Sequence, residues 1–168
     1  MKVRKQKKKQ KRADNAVVEF LGRNILIAQL MDAGLEVAIP ARDRGVDLIA
    51  FQDCLPKDNN FTFIPIQLKA SSSGSFSIHK KHGRIQNLLM AYVWCVRHPS
   101  ESVTYAMRYA DAVKIGRKPR YTETPSWRKR GGYSTSRPGK EIRRILEEKH
   151  RMTSENWRRL AKAQSMKS

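Results

Sequence analysis

The segment LLMAYVWCV, residues 88–96, is apolar at every position and is long enough for one strand through the interior of a sheet. A strand that is apolar on both faces needs a covering layer on each side, because neither face can be left to water. We therefore predict a central strand here. A buried helix is the alternative that an uninterrupted apolar run leaves open.

Three extended segments precede this run: LEVAIPA (35–41), GVDLIAF (45–51) and FTFIPIQLKA (61–70). A polar loop around Pro56 joins the last two, and the pattern of each predicts a strand. Pro65 lies inside the third segment and cannot donate a hydrogen bond to a neighbouring strand. It therefore predicts a bulge, or an edge location over part of that strand.

A helix is predicted before these strands, over DNAVVEFLGRNILIAQLMDAG, residues 14–34. Apolar residues between Val17 and Met31 recur near the helical period. Asp14 or Asn15 is expected as the N-cap, and Gly34 as the C-cap.

Beyond the apolar run, residues 102–115 are expected to begin as a strand, and residues 116–139, rich in Gly, Pro, Ser and Arg, to form a loop. Residues 139–164 predict a basic amphipathic helix that breaks near Thr153. The order of helix, three or four strands and helix predicts a mixed α/β sandwich.

The chain carries 35 Lys and Arg against 15 Asp and Glu, a formal charge of +20. Eight of these cations lie in the first twelve residues, MKVRKQKKKQKR, and subtracting them from +20 leaves +12 on the remainder. Because like charges repel, we expect residues 1–13 to be a disordered tail. The charge predicts a polyanionic partner, which is nucleic acid or, less often, an acidic membrane face.

Targeting signals and cysteine usage suggest the compartment. The apolar runs are too short to span a bilayer, and no apolar segment follows the N-terminal charges as it would in a secretory signal. Cys54 and Cys95 are too few and too far apart for a zinc cluster or a disulfide framework. These features predict a cytoplasmic protein, which with its positive charge is expected to be nucleoid-associated. No membrane partner is expected, because the C-terminal helix lacks the large aromatic face that binding to a membrane surface would require.

Polar residues interrupt the apolar pattern at Asp47, Gln67 and Lys69. Side chains alternate along a strand, so Gln67 and Lys69 project from one face while Leu68 points to the other. If the two strands are neighbours, Asp47 lies beside them. A carboxylate and an amide oxygen suit Mg²⁺, and a lysine beside them could orient a water and stabilise a pentacovalent phosphate.

This arrangement resembles the PD-(D/E)XK nuclease superfamily, whose members share the restriction-endonuclease-like fold. The similarity covers residues 14–96, and it implies a nuclease-like domain over 14–150 with a basic helical extension over 151–168. It further implies a three-layer sandwich, with a mixed central sheet flanked by helices, that cuts DNA by water activated with Mg²⁺ or Mn²⁺. In this resemblance Asp47 and Lys69 match the family Asp and Lys.

Two residues depart from the family pattern. Gln67 stands where the family usually has an acid, and Val46 stands where it usually has Pro. Glu19, on the first helix, matches an acidic residue of resolvase-like members, so the implied metal ligands are Asp47, Gln67 and Glu19. Glu36 is a second candidate to replace the missing acid.

Each of these residues could instead have a purely structural role. Asp47 could pair with Arg42 or Arg44, and Lys69 could extend along the strand surface to water. Gln67 could be an inward-facing amide bonded to its neighbours. Glu19 could pair with Arg23, one helical turn on.

Two further groups of residues are candidates for binding nucleic acid. The segment SSSGSFSIHKKHG, residues 71–83, could contact phosphates, and a basic stretch later in the chain is interleaved with Tyr121, Trp127 and Tyr133, which could stack on bases. The alternative for the second group is a solvated loop anchored by its aromatic residues. The predicted contacts are Ser71, Ser72, Ser73, His79, Lys80, Lys81, Arg117, Lys118, Arg120, Arg128, Lys129 and Arg130.

The sequence thus predicts a divalent-metal-dependent DNA endonuclease. The alternative is a non-catalytic nucleic-acid-binding protein on a degenerate nuclease fold, which the amide at position 67 would equally suit. RNA is the alternative to DNA as partner. A homodimer is compatible with the resemblance, since many relatives act as dimers.

Overall fold

A computed structural model of the chain describes residues 2–42, 44–52 and 63–165, with side chains from residue 14 to residue 162 within those ranges. The polar loop around Pro56 lies outside the described residues. The helices are α1 (Lys2–Asp32), α2 (Tyr109–Arg117), α3 (Pro125–Arg130), α4 (Lys140–His150) and α5 (Ser154–Ser165). The strands are β1 (Glu36–Ala38), β2 (Leu48–Phe51), β3 (Phe63–Ala70), β4 (Phe76–His79), β5 (Leu89–Trp94), β6 (Val103–Arg108) and β7 (Gly132–Thr135).

A mixed five-stranded sheet, in the order β1-β2-β3-β5-β6, forms the centre of the molecule. The pair β3–β5 is parallel, and the other neighbouring pairs are antiparallel. Strands β4 and β7 form a separate two-stranded sheet. The mixed α/β class predicted from the order of elements is confirmed.

Strand β5 is buried on both faces, which confirms the prediction of a central strand. Leu89, Ala91 and Val93 pack into one core with α1 and α5. Tyr92 and Trp94, on the opposite face, pack into a second core with α2, α4 and the β4–β7 pair. The sheet is therefore covered on both sides.

Pro65 lies in β3 where β5 does not reach. It pairs with Ile49 of β2, whereas the pairing of β3 with β5 begins one residue later, at Ile66 opposite Leu89. The predicted edge location over part of the strand is confirmed. The proline costs no ladder hydrogen bond on the β5 side, because no partner strand lies beside it there.

Helix α1 ends as predicted but begins earlier than predicted. Gly34 has a φ of +79°, and the amides of Gly34 and Leu35 donate to the carbonyls of Met31 and Leu30, which is a Schellman motif. Asp14 and Asn15 are not N-caps, because the helix runs through them from Lys2.

The expectation of a disordered tail over residues 1–13 differs from the structure, in which the backbone of residues 2–13 is helical. Lys, Arg and Gln are good helix formers, and extending an existing helix is easier than nucleating a new one.

The apolar residues of α1 differ in burial. Leu26 and Leu30 are fully buried, whereas Phe20 and Met31 are 62% and 58% exposed.

The prediction of a loop over residues 116–139 is wrong. Thr124 caps α3 by accepting from the Trp127 amide at 3.3 Å, and Gly131 ends that helix with a φ of +76°. Strand β7 then pairs with β4, placing Tyr133 opposite Ile78. Strand β7 depends on this distant pairing more than on a local pattern, whereas the caps of α3 are local.

The C-terminal helical segment breaks as predicted, between α4 and α5. The Met152 amide donates to the Thr104 carbonyl at 2.8 Å, which holds the break against β6. Trp157 of α5 is 1% exposed and lies in the same core as Leu26. Helix α5 is thus packed on the domain, although the sequence suggested an extension beyond residue 150.

None of the described helices is long and apolar enough to cross a lipid bilayer.

Helix α1 packs closely against the end of β3 at Gly22. A Cβ atom at this position would lie 2.4 Å from Cβ of Ala70, at the end of β3. The substitution Gly22→Ala should therefore lower the free energy of unfolding by about 1–2 kcal/mol, because overpacking outweighs the gain in helix preference. Urea unfolding followed by circular dichroism measures this difference.

The double variant Gly22→Ala with Ala70→Gly exchanges the two side chains across the same contact. It should recover part of the stability lost in the single Gly22→Ala variant, because the clashing methyl group is removed. A single variant as stable as the wild type would contradict the close packing.

Candidate functional site

A cleft of about 570 Å³ opens at the carboxyl end of β3, between α1 and the β4–β7 pair. We call it the β3 cleft. It contains all four residues predicted as catalytic, Asp47, Gln67, Lys69 and Glu19, together with the predicted phosphate contacts at 71–73. Residues from four separate segments of the chain meet there.

Asp47 is positioned by hydrogen bonds to β3. Its backbone amide donates to the Ile66 carbonyl at 2.8 Å, and its Oδ2 accepts from the Leu68 amide at 2.7 Å. Gly45, with a φ of +96°, turns the chain just before it. The Asp47 carboxylate thus lies beside β3, on the side where β2 pairs with it.

Gln67 is 5% exposed and bonds to the same carboxylate. Its Nε2 donates to Oδ2 of Asp47, and also lies 3.3 Å from the Leu68 carbonyl oxygen. One amide nitrogen therefore lies between a carboxylate oxygen and a carbonyl oxygen. Rotating the amide group by half a turn would present Oε1 to these oxygens, and a cation between them would stabilise that arrangement.

Lys69 follows Gln67 on the same strand face, as the alternation predicted. Lys69 is partly buried and borders both the β3 cleft and a neighbouring cleft. Ile66 and Leu68 point into the core beneath α1. The ammonium group thus belongs to the polar side of β3.

Glu19 borders the β3 cleft, but its carboxylate is engaged by the helix. Oε1 of Glu19 accepts from Nη2 of Arg23 at 2.7 Å, the ion pair expected one turn apart. Its side chain is 60% exposed, so the pair is open to solvent and contributes little to stability. Glu36, the second candidate, lies on β1 and is not among the residues that line the cleft.

The carboxylates among the lining residues of the β3 cleft are those of Asp47 and Glu19. Among the described residues, no group of three or more His, Cys, Asp and Glu side chains is arranged to hold a metal ion. The donors beside one another are the Asp47 carboxylate, the Gln67 amide and the Leu68 carbonyl. Mg²⁺ is commonly held by one or two carboxylates and keeps several waters, so this donor set fits a weakly held ion.

A second, more basic cleft adjoins the first and shares Lys69, Ser77 and Ser134 with it. We call it the basic cleft. Its other charged members are Lys81 and Arg130, and its volume is about 440 Å³. The two clefts therefore form one continuous surface that meets at Lys69.

His79, a predicted phosphate contact, lies in the basic cleft. Its Nδ1 accepts from the Lys81 amide at 3.0 Å, which leaves Nε2 as the protonated nitrogen of the neutral ring. Burial, followed by the charges of Lys81 and Lys69, lowers the pKa of His79 below its usual 6.5. At neutral pH the ring is therefore an uncharged donor.

The remaining predicted contacts lie apart from the clefts. Lys80 Nζ lies 5.6 Å from the centre of the Trp127 ring, Lys118 pairs with Glu141, and Arg120 pairs with Glu123. The other three, on α2 and α3, are exposed: Arg117, Arg128 and Lys129.

The aromatic residues of this region pack against one another or into the second core. Tyr121 and Tyr133 stack on each other with ring centres 4.0 Å apart, and Trp127 is buried in the second core. Their positions correspond to the alternative of a segment anchored by its aromatic residues.

Sequence reasoning did not identify Ser134 as a cleft residue, and it included Ser75 and Ser77 only as part of the segment 71–83. Ser75, Ser77 and Ser134 line the β3 cleft beside the predicted serines. Ser77 and Ser134 face each other across the β4–β7 pair. No local signal marks Ser134, because only the pairing of β7 with β4 brings it there.

Comparison of the chain with protein-family models, with curated proteins and with solved structures found no match. Its function is therefore inferred from its own residues and from the motif resemblance. The most informative of these residues is Gln67.

The bond between Asp47 and Gln67 predicts how an acid at position 67 would behave. In Gln67→Glu, two carboxylates would share a nearly buried position, and the free energy of unfolding at pH 7 should fall by roughly 2 kcal/mol. Like-charge repulsion raises the pKa of one carboxyl in the folded state above its unfolded value. The loss should therefore shrink as pH falls towards 5, because that carboxyl then takes up a proton in the folded protein.

Thermal unfolding of the variant and the wild type at both pH values measures this effect. Gln86→Glu makes the same change at an exposed position and serves as the control. An equal and pH-independent effect of the two substitutions would show that Gln67 does not bond to Asp47.

Proposed function

We propose that the protein is a divalent-metal-dependent DNA endonuclease with a restriction-endonuclease-like fold. The observation that carries this proposal is the meeting of Asp47, Gln67 and Lys69 in one cleft that continues into a basic cleft. Support for the fold comes from a helix followed by three antiparallel strands, with β5 parallel to β3.

The proposed metal ligands are the Asp47 carboxylate, the Gln67 amide oxygen after rotation of the amide, and the Leu68 carbonyl. When bound, Mg²⁺ or Mn²⁺ supplies a Lewis acid that polarises a phosphoryl oxygen and lowers the pKa of a water. Asp47 is held in place for this role by its bond to the Leu68 amide. Glu19 could replace the missing acid only by leaving Arg23.

Lys69 would act on the phosphate and the attacking water. Its ammonium group lies at the junction of the two clefts, and its positive charge would stabilise the negative charge that develops on a pentacovalent phosphate. It could also donate a hydrogen bond that orients the water. Both roles require only its charge and its place on β3.

The DNA strand would run along the continuous surface of the two clefts. The serines of residues 71–77 offer hydroxyl donors, and Lys81 and Arg130 offer charges to phosphates further along. The charge of +12 outside the first twelve residues supports a polyanionic partner. None of these contacts depends on base identity, so cleavage with little sequence preference is expected.

A second function, binding nucleic acid without cleavage, is favoured by one observation. The Asp47 carboxylate and the Gln67 amide satisfy each other without an ion, and Glu19 is paired with Arg23. A site whose carboxylates already have partners could position phosphates through Lys69 and the serines alone.

Cleavage of supercoiled and branched DNA in Mg²⁺ or Mn²⁺ separates the two functions. Substituting Asp47→Asn keeps an acceptor for the Leu68 amide but removes the charge, and Lys69→Met keeps much of the chain length. Each should lower the cleavage rate by about 100-fold or more, because each removes charge that acts on the reacting phosphate. The exposed Glu101→Ala and Lys140→Met provide matched controls outside both clefts.

DNA binding in EDTA completes the comparison. Strong binding without cleavage in either metal would support the non-catalytic function. Cleavage that is equal in the wild type, Asp47→Asn and Lys69→Met would contradict the proposed catalytic site.

A further inference from the structure

A third concave surface lies away from the two clefts, between the end of β6 and helices α4 and α5. We call it the α4–α5 pocket. Its volume of about 440 Å³ is within the range of small-molecule sites. None of the residues predicted from the sequence to act in catalysis or in nucleic-acid binding lines it.

Four cations border this pocket against one carboxylate, Asp111. Two of the cations are engaged: Arg151 pairs with Glu147, and Arg159 donates to Asn156 at 3.0 Å. The other two, Arg108 and Lys149, are exposed and have no ion-pair partner among the described residues. The rim therefore carries positive charge that is not neutralised within the described protein.

The floor of the pocket is apolar and contains two methionines. Met107 and Met152 line it together with Leu89, Ala106 and Leu160. Thioether side chains are polarisable and make favourable contacts with aromatic rings. A ligand that fills the pocket should thus combine an anionic group for the rim with a flat apolar body for the floor.

Asp111 restricts the ligand further. Its Oδ1 accepts from Nζ of Lys114 at 3.1 Å, and the carboxylate can accept a further hydrogen bond from an exocyclic amine of the ligand. A nucleotide with an amino-substituted base has all three features: phosphate, planar ring and amine donor. Inorganic anions and lipid chains lack at least one of them.

The α4–α5 pocket and Asp47 lie at different strands of the sheet. Asp47 directly precedes β2, whereas Met107 and Arg108 of the pocket end β6, three strands away in the order β2-β3-β5-β6. Three strand spacings correspond to roughly 14 Å. A ligand in the pocket would therefore not contact Asp47.

We propose that the α4–α5 pocket binds a nucleotide, with its phosphate against Arg108 and Lys149 and its base on the methionine floor near Asp111. The nucleotide is either free or the end of a nucleic-acid strand. The proposal does not depend on cleavage in the β3 cleft, because none of the residues involved is shared.

Isothermal titration calorimetry of the full chain in EDTA with 2′-deoxyadenosine 5′-monophosphate tests this proposal. The probe should bind more tightly than inorganic phosphate, deoxyadenosine or hexyl phosphate, each of which lacks at least one of the three features. The double variant Arg108→Gln with Lys149→Gln should weaken binding by about tenfold or more, because it removes two charged contacts to the phosphate. Both side chains are exposed, so the fold should persist, and thermal unfolding checks this.

Two controls locate the site and identify its ligand. Lys140→Gln removes a charge from α4 outside the pocket, and Asp47→Asn alters the β3 cleft; both should leave binding unchanged. A strand carrying a 5′-phosphate that competes with the mononucleotide would identify a strand end as the natural source, and a strand that does not compete would identify a free nucleotide. Hexyl phosphate binding as tightly as the nucleotide, or binding unaffected by the double variant, would overturn the proposal.

Discussion

The burial of β5 on both faces is the constraint on which the rest of the structure depends. Each face of this strand needs a covering layer, since a half-exposed strand with Leu89, Tyr92 and Trp94 would leave a large apolar surface in water. One layer is α1 with α5, and the other contains α2, α4 and the β4–β7 pair. The β3 cleft is formed where these two layers diverge at the end of β3. The positions of the cleft walls are therefore set by how the two layers pack on β5.

The same packing explains why the polar residues of β3 are found together. Ile66 and Leu68 are required by the core under α1, so Gln67 and Lys69 must face the other way. Asp47 then reaches them because β2 is the neighbour of β3 and its carboxylate bonds to the Leu68 amide. Gly22 allows α1 to lie close to Ala70, which brings Glu19 to the cleft. Four side chains from three segments of the chain are thus positioned by ordinary packing and pairing.

Features that depend on local pattern could be predicted from the sequence. The apolar run of β5, the turn at Gly34 and the partial edge position of Pro65 each follow from residue type at one place in the chain. Features that depend on distant pairing could not. Strand β7 is short and polar, with Ser134 exposed, and only its register with β4 gives it a structure and a place in the cleft. The partner of Glu19 could be proposed from the spacing to Arg23, but the sequence alone did not decide between that pair and a metal.

Gln67 is where the catalytic and binding functions separate. Its amide is a neutral partner that satisfies Asp47 without an ion, whereas an acid at this position would repel Asp47 unless a cation lay between them. The amide can nevertheless offer oxygen after a half rotation, so the site would change its hydrogen bonding when an ion enters. The balance between these two states decides whether the β3 cleft holds a metal at physiological concentrations.

We propose that Asp47 and Gln67 share one divalent cation, and a crystal structure of the protein grown with Mn²⁺ would show whether they do. We expect an anomalous-scattering peak in contact with the Asp47 carboxylate and the Leu68 carbonyl oxygen, with the Gln67 amide rotated so that Oε1 faces the ion. Full occupancy of other sites by Mn²⁺ with no peak beside Asp47, and with Nε2 of Gln67 still bonded to its carboxylate, would contradict it.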